Sequence, residues 1–323
     1  MSSVLRYLYV VSLALASLVQ GYSDPGPCSG ACWAHDPALI QHSDGTYFKF
    51  NTGKGIEIVT ASSLAGPWTI QGSVLPSGSK ISSPGNKDLW APDVTKVGDL
   101  YHLYYSVSQF GAQVSSIGLA TSPSMKPGSW SDLGAVGVDS KAGTAYNAID
   151  ANLLKVGSDY QLVFGSFWGG IFTTPLASDA KKAAGGSPKN IAFKKEGENP
   201  SEGAYVFHYS GFYYLTWSFG KCCGLDSNKP APGGEYKILV CRSESATGGF
   251  VDKAGVSCTA GGGTTLLESH GKIYAPGGQG VFQDSKQGLV LYYHYANTDV
   301  GLGDGQYLFG YNALKWSGGW PSV

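Results

Sequence analysis

The 323-residue chain is close to electroneutral, with 22 basic against 23 acidic residues, so it offers no net field to draw in nucleic acid or an anionic membrane. Charged residues make up only 14% of it, whereas glycine is abundant (47) and aromatics reach 13%, which favours an all-β fold with many tight turns. A small neutral ligand is the partner class these proportions leave, and the chain is expected to act as a monomer.

Residues 1–21 (MSSVLRYLYVVSLALASLVQG) carry one basic residue, Arg6, then an apolar stretch from Leu8 to Val19 and small or polar residues before Tyr22. This pattern predicts a secretory signal peptide. The apolar stretch falls short of the roughly 20 residues a spanning helix needs, so an exported, extracellular product is expected. Cys28, Cys32, Cys222, Cys223, Cys241 and Cys258 fit an oxidising compartment, where an even count predicts disulfides without choosing their pairing. The adjacent Cys222 and Cys223 are expected to pair with distant partners. Zinc is disfavoured, because Cys28 and Cys32 are not followed by a second spaced pair.

From residue 34 onward, short runs rich in Tyr, Phe, Val and Leu recur: TYFKF, YHLYYSV, YQLVFGSF, FYYLTWSF and LVLYYHY. Each follows a turn signal (SDG, KVGD, KVGSD, HYSG, DSKQG) and, before that, another apolar stretch, which reads as hairpins in series. Aligned on these hairpins, five units begin at Asp36, Asp93, Asp150, Glu202 and Gln279. The repeat predicts a single-domain five-bladed β-propeller over residues 22–323, with the Cys222–Gly263 region as loop insertions. A sandwich or jelly roll uses similar short strands but does not explain five headed units. If the first strand of each unit is innermost, the unit heads gather at one mouth of the central channel.

Three of those heads are acids in a charge-poor chain. Glycoside hydrolysis needs two carboxyl groups flanking the scissile bond, and a third can keep the proton donor protonated by like-charge repulsion. Asp36, Asp150 and Glu202 could supply this set, although spacing alone does not assign their roles, and a lone acid in a turn more often accepts a backbone N–H. Asp93, in WAPDV, is read as such a structural acceptor.

The segments AHDPALI, WAPDV, NAIDAN followed by GSFWGGI, PSEGAYVF and HGKIYAPGGQGV, with the closing GWPSV, resemble the motifs of glycoside hydrolase family 43, and within it the fungal endo-1,5-α-L-arabinanases. The resemblance implies a five-bladed propeller that cleaves internal α-1,5 links of arabinan, the side-chain polymer of pectin, with inversion. It implies Asp36 as general base, Glu202 as general acid and Asp150 as the group that tunes and orients the acid. Inversion asks for a base and acid roughly 6.5–9.5 Å apart, leaving room for water. His270 is matched to a channel histidine beside a calcium or other ion held largely through water, since calcium prefers oxygen ligands. No cofactor is expected to take part in the chemistry.

Linear arabinan and arabino-oligosaccharides are the implied partners. Their contacts are expected from Asp36, Trp90, Phe110 with Gly111, Asn147, Ala148, Ile149 and Asp150, and Ser166, Phe167 and Trp168. Aromatic rings would stack on furanose faces while Asn and Ser bond the hydroxyls. Trp316 and Trp320 are assigned to packing. The alternatives are an end-acting arabinosidase or xylosidase with the same acids, and a non-catalytic sugar-binding propeller, which would not need three acids at the unit heads.

Overall fold

The structure is a computed structural model that describes residues 21–323; the expected signal peptide, apart from Gly21, lies outside the described residues. Among these residues the regular structure is all β, apart from two single-turn 3₁₀ segments at Cys258–Ala260 and Asp304–Gln306. Among the described residues no helix is long and apolar enough to cross a membrane.

Each hairpin series folds into one up-and-down antiparallel sheet. Blade one holds β1 (Ala38–Gln41), β2 (Tyr47–Asn51), β3 (Glu57–Ala61) and β4 (Thr69–Ser73). Blade two follows with β5 (Trp90–Val97), β6 (Leu100–Val107), β7 (Ser115–Ser122) and β8 (Ser131–Ser140). Blade three comprises β9 (Asn152–Val156), β10 (Asp159–Phe164), β11 (Ile171–Leu176) and β12 (Lys189–Ala192), and blade four β13 (Ser201–Tyr209), β14 (Phe212–Phe219), β15 (Lys237–Ser243) and β16 (Thr264–Leu267). Blade five has β17 (Ile273–Asp284), β18 (Gly288–Asn297) and β19 (Leu308–Ala313), and a small hairpin of β20 (Lys315–Ser317) and β21 (Trp320–Ser322) ends the chain. The KVGD and KVGSD signals turn as expected, with Gly98 (φ 59°) and Gly157 (φ 62°) supplying the left-handed backbone a two-residue hairpin turn requires.

The first strand of each blade touches the first strand of the next all the way round, from β1 to β5, β9, β13, β17 and back to β1. Between neighbouring blades lies a separate apolar layer. Phe50 and Ile58 meet Leu103 and Tyr105 between blades one and two, and Leu119 meets Leu162 between two and three. Val163 meets Leu215 between three and four, Ile238 meets Leu291 between four and five, and Val59 meets Val290 and Phe309 where five returns to one. The adjacent Tyr104 and Tyr105, both fully buried, point into different layers because side chains alternate along a strand.

Polar latches cross the same seams. Asp93 accepts the Leu153 N–H (2.8 Å) and the Asn152 amide (3.3 Å), and Asn152 in turn accepts the Val206 N–H (2.9 Å). Asp93 is thus a structural acceptor, as its setting suggested, and burial pushes its carboxyl up to about 6 against those two donors. Trp316 stacks on Tyr209 and Trp320 lies buried under Arg242, so both are packing residues.

The ring is closed by the chain's own beginning. Blade five has three strands, and residues 26–34 run along its outer edge: the Gly26 N–H donates to Tyr311 O (2.8 Å), Phe309 N–H to Cys32 O (2.8 Å) and Ala34 N–H to Tyr307 O (3.3 Å). Lys49 of β2 clamps this segment to blade one. Its fully buried ammonium donates to the carbonyls of Ala31 (3.2 Å) and Trp33 (3.0 Å) and faces the rings of Trp68 and Phe309. Cys28 and Cys32 are bonded within the same segment, and Cys241 pairs with Cys258 inside blade four. The third disulfide departs from expectation, because Cys222 and Cys223 pair with each other.

Replacing Lys49 with Met leaves the Ala31 carbonyl without its side-chain donor and the Trp33 carbonyl with only the longer Asn51 amide contact (3.5 Å), and should lower the unfolding free energy by about 2 kcal/mol, read by denaturant titration. Burial pushes the Lys49 ammonium down to about 7, with Glu57 opposing, against an ordinary 10.5. The unfolded chain therefore binds the extra proton between those values, and wild-type stability should gain from this group as pH rises through that window. The Met variant should lose that slope.

Candidate active site

Asp36 and Asp150 sit two residues before β1 and β9, and Glu202 lies at the start of β13, so all three acids end innermost strands at the same mouth of the channel. They line one cleft of about 1270 Å³, to which every blade contributes. Asp36 and Asp150 both have left-handed backbones (φ 44° and 59°), a conformation costing an L-residue about 1–2 kcal/mol. Side chains from neighbouring blades hold them in it. The Asp36 N–H donates to Nδ1 of His294 (3.0 Å), and the Asp150 N–H to the Ser106 hydroxyl (3.0 Å). The Thr52 hydroxyl donates to Asp36 Oδ2 (2.9 Å) while accepting the N–H of Ala91 (2.9 Å).

Glu202 accepts hydrogen bonds from the Ser166 hydroxyl (2.6 Å) and from the phenol of Tyr236, and Asp150 accepts the N–H of Gly203 (3.0 Å). Burial raises both carboxyls above the usual carboxylate range. Asp150 is raised further by the charges of Glu202 and Asp36; at Glu202 the two hydroxyl donors pull the other way and Asp36 pushes up. The Asp150–Glu202 dyad therefore keeps a proton at a pH where an isolated carboxyl has lost it, and the two groups titrate as a pair. Two hydroxyl donors on Glu202, against one backbone donor on Asp150, favour the ionised form of Glu202 over that of Asp150.

The motif YAPGGQG has a steric basis here. A Cβ on Gly278 (φ 57°) would lie 2.6 Å from both Asp36 Oδ1 and His294 Nδ1, and one on Gly277 would enter the Tyr236 ring. Gln279 bridges the seam, donating to Gly203 O (2.6 Å) and accepting the Ser218 hydroxyl (2.8 Å).

Most of the predicted substrate contacts converge on the cleft. Phe110 (84% exposed) and Trp168 (41%) present open ring faces, and Trp90, Gly111, Asn147, Ile149, Ser166 and Phe167 line the walls. Asn147 is engaged through its Oδ1 by Ser115 and Ser140. Ala148 is corrected: it is fully buried in the layer between blades two and three, with its N–H on the Ser140 hydroxyl, and offers nothing to a ligand.

His270 is also corrected. It lies between β16 and β17, outside the cleft, with Nδ1 beside Glu268 O (2.9 Å), Nε2 3.9 Å from Asp24 and its ring near Tyr22. The histidines at the acids are His35 and His294. His294 is fully buried, and burial pushes it down to about 3, so it stays neutral. Because Nδ1 accepts the Asp36 amide, the ring proton resides on Nε2. His35, Asp36 and His294 bring potential ligand atoms within 4.8 Å of one another, yet two imidazoles and one carboxylate do not fit calcium, which takes oxygen ligands.

The sequence reading missed His35, His294, Thr52 and Tyr236. His35 adjoins Asp36 in the motif, whereas His294 and Tyr236 lie in apolar runs that read as ordinary strand.

A ring of antiparallel blades that carries three interacting acids and open aromatic faces in one cleft defines a propeller glycosidase. The chain belongs to glycoside hydrolase family 43, whose family model matches residues 30–321. It is 57% identical over 316 residues to a probable arabinan endo-1,5-α-L-arabinosidase A of Aspergillus flavus, covering 97% of this chain and 98% of that protein. Among solved structures it resembles a family 43 endo-arabinanase from Bacillus licheniformis (TM-score 0.82, 31% identity, 92% of this chain and 99% of that one). An exo-1,5-α-L-arabinanase from a bovine ruminal metagenomic library is also similar (TM-score 0.80, 29% identity, 90% and 96%).

Two substitutions probe this geometry. Tyr236→Phe removes a donor that favours ionised Glu202, so the alkaline limb of the kcat/KM profile should move up by about one pH unit. Gly278→Ala should reduce kcat by at least about 100-fold, since displacing Asp36 by a fraction of an ångström spoils its reach; near-normal turnover would show that the loop yields.

Proposed function

We propose that this chain is an exported hydrolase that cleaves internal α-1,5-L-arabinofuranosidic links of arabinan with inversion. Asp36 serves as general base, Glu202 as general acid and Asp150 as the group that sets the acid's proton affinity. The observation that carries the reading is the meeting of the three acids in one cleft, in a chain 57% identical to a fungal arabinan endo-hydrolase along almost its whole length.

Asp36 Oδ2, steadied by Thr52, takes a proton from a water whose oxygen attacks the anomeric carbon. The bond from that carbon to the glycosidic oxygen breaks as Glu202 delivers its proton to the leaving oxygen. Negative charge then rests on the Asp150–Glu202 dyad, which regains its proton from solvent, while Asp36 releases the one it took. Furanose rings stack on Trp168 and Phe110, whose exposed faces need no rearrangement to receive them. The reaction proceeds on carboxylates alone and needs no cofactor.

Internal cleavage is favoured by the 57% identity, along almost the whole chain, to an endo-acting relative. Residues 1–21 act as the export signal, and the mature chain from residue 22 works as a single-domain monomer on a polymer outside the cell.

Glu202→Gln and Asp36→Asn should each cut turnover of linear 1,5-arabinan by at least about 1000-fold while oligosaccharide affinity stays within about threefold. Activity near wild type in either variant removes that residue from its role. During digestion, viscosity should fall steeply while few reducing ends have appeared. Slow thinning with a single small product would mean end-acting cleavage, and binding without any release would mean a lectin.

A further inference from the structure

The bond between Cys222 and Cys223 stands at the head of the loop joining β14 to β15. The neck of this loop is tied by the Lys221 N–H on Gly234 O (2.9 Å) and the Tyr236 N–H on Lys221 O (3.0 Å). Beyond the neck, the loop is docked on blade five: the Tyr307 phenol donates to Cys222 O (2.6 Å) and the Gly224 N–H to Asp304 Oδ1 (3.0 Å). Cys222 also packs against the apolar cluster of Leu225, Tyr236, Ala296 and Tyr307.

Both cysteines are half-buried and line the cleft. Sγ of Cys223 lies 3.9 Å from Nε2 of His35, and that nitrogen lies 3.9 Å from Oδ2 of Asp36. Of the exposed large apolar side chains among the described residues, only Phe110 and Trp168 line the cleft, and they belong to blades two and three. A sugar chain crossing the cleft leaves those rings and meets the side built by blades four, five and one, where the disulfide offers apolar, polarisable sulfur. A bond across a single peptide closes a small rigid ring, so this surface is held in place before substrate arrives.

Building on the function proposed above, we propose that the Cys222–Cys223 disulfide is a substrate-contacting wall, packing against the face of the furanose ring that lies beside His35 and Asp36. It acts as a binding and specificity element for arabinan, distinct from the two disulfides that staple the fold.

The test is steady-state kinetics on linear arabino-oligosaccharides of increasing length for wild type and the double variant C222A/C223A, with thermal unfolding measured alongside. KM should rise about tenfold, the equivalent of 1.4 kcal/mol of binding, with kcat within about threefold and the pH profile unmoved. An unchanged KM in a variant that unfolds at the wild-type temperature overturns the proposal. A second measurement decides if the double variant does not fold. In Glu202→Gln, saturating arabinohexaose should slow reduction of this one disulfide by dithiothreitol at least about fivefold, with thiols located by alkylation and peptide mass; equal rates with and without sugar overturn it. Failure of wild type to hydrolyse or bind arabinan would instead defeat the functional reading on which this one stands.

Discussion

Closure of the ring is the constraint on which the other features depend. Five sheets bury their faces only against one another, and the acids meet only because the fifth sheet returns to the first. That return is made by residues 26–34 lying on β19 and by Lys49 holding them to blade one. Ala34, with Cys28, Ala31 and Cys32 beside it, packs into the apolar layer between blades five and one, so backbone pairing, apolar packing and a buried ammonium together carry the join. The Cys28–Cys32 bond stiffens the same stretch and lowers the entropy lost in laying it down.

Site and scaffold share their components. Ser106 and His294 come from blade cores and hold the backbones of Asp150 and Asp36, Thr52 steadies the Asp36 carboxylate, and Gln279 fixes the spacing between blades four and five beside Glu202. Each acid comes from a different blade, so catalytic distances are inter-blade distances. This explains why latches such as Asp93 with Asn152 stand so close to the channel, and why two consecutive glycines are needed where β17 passes Tyr236 and Asp36.

The architecture was legible in the sequence because its signals are local and repeated. Turn chemistry marked the hairpins, and an acid or amide at each unit head marked the innermost strands. The acids were legible for the same reason. What escaped depends on contacts distant in the chain. His294 and Tyr236 lie within strand-like runs, and only the ring's closure places them beside Asp36 and Glu202. His270 was drawn into the site by motif adjacency, yet the channel begins further along β17, past the bulges around Gly277. Ala148 sits between two cleft residues, but in the irregular segment ahead of β9 it turns into the apolar layer between blades two and three. Adjacent cysteines were expected to pair with distant partners, yet they pair with each other in a loop whose neck is tied at Lys221 and Tyr236.

The left-handed backbones at Asp36 and Asp150 also bear on how such a protein changes over generations. At these positions Asn and Gly are the replacements best tolerated by the backbone, and burial of like charges already sets the acids at odds with the fold. The mutations most accessible to drift are therefore those that erase chemistry while sparing, or even steadying, the scaffold and its aromatic cleft. A lineage released from selection for turnover would decay towards a carbohydrate-binding protein before it decayed towards an unfolded one.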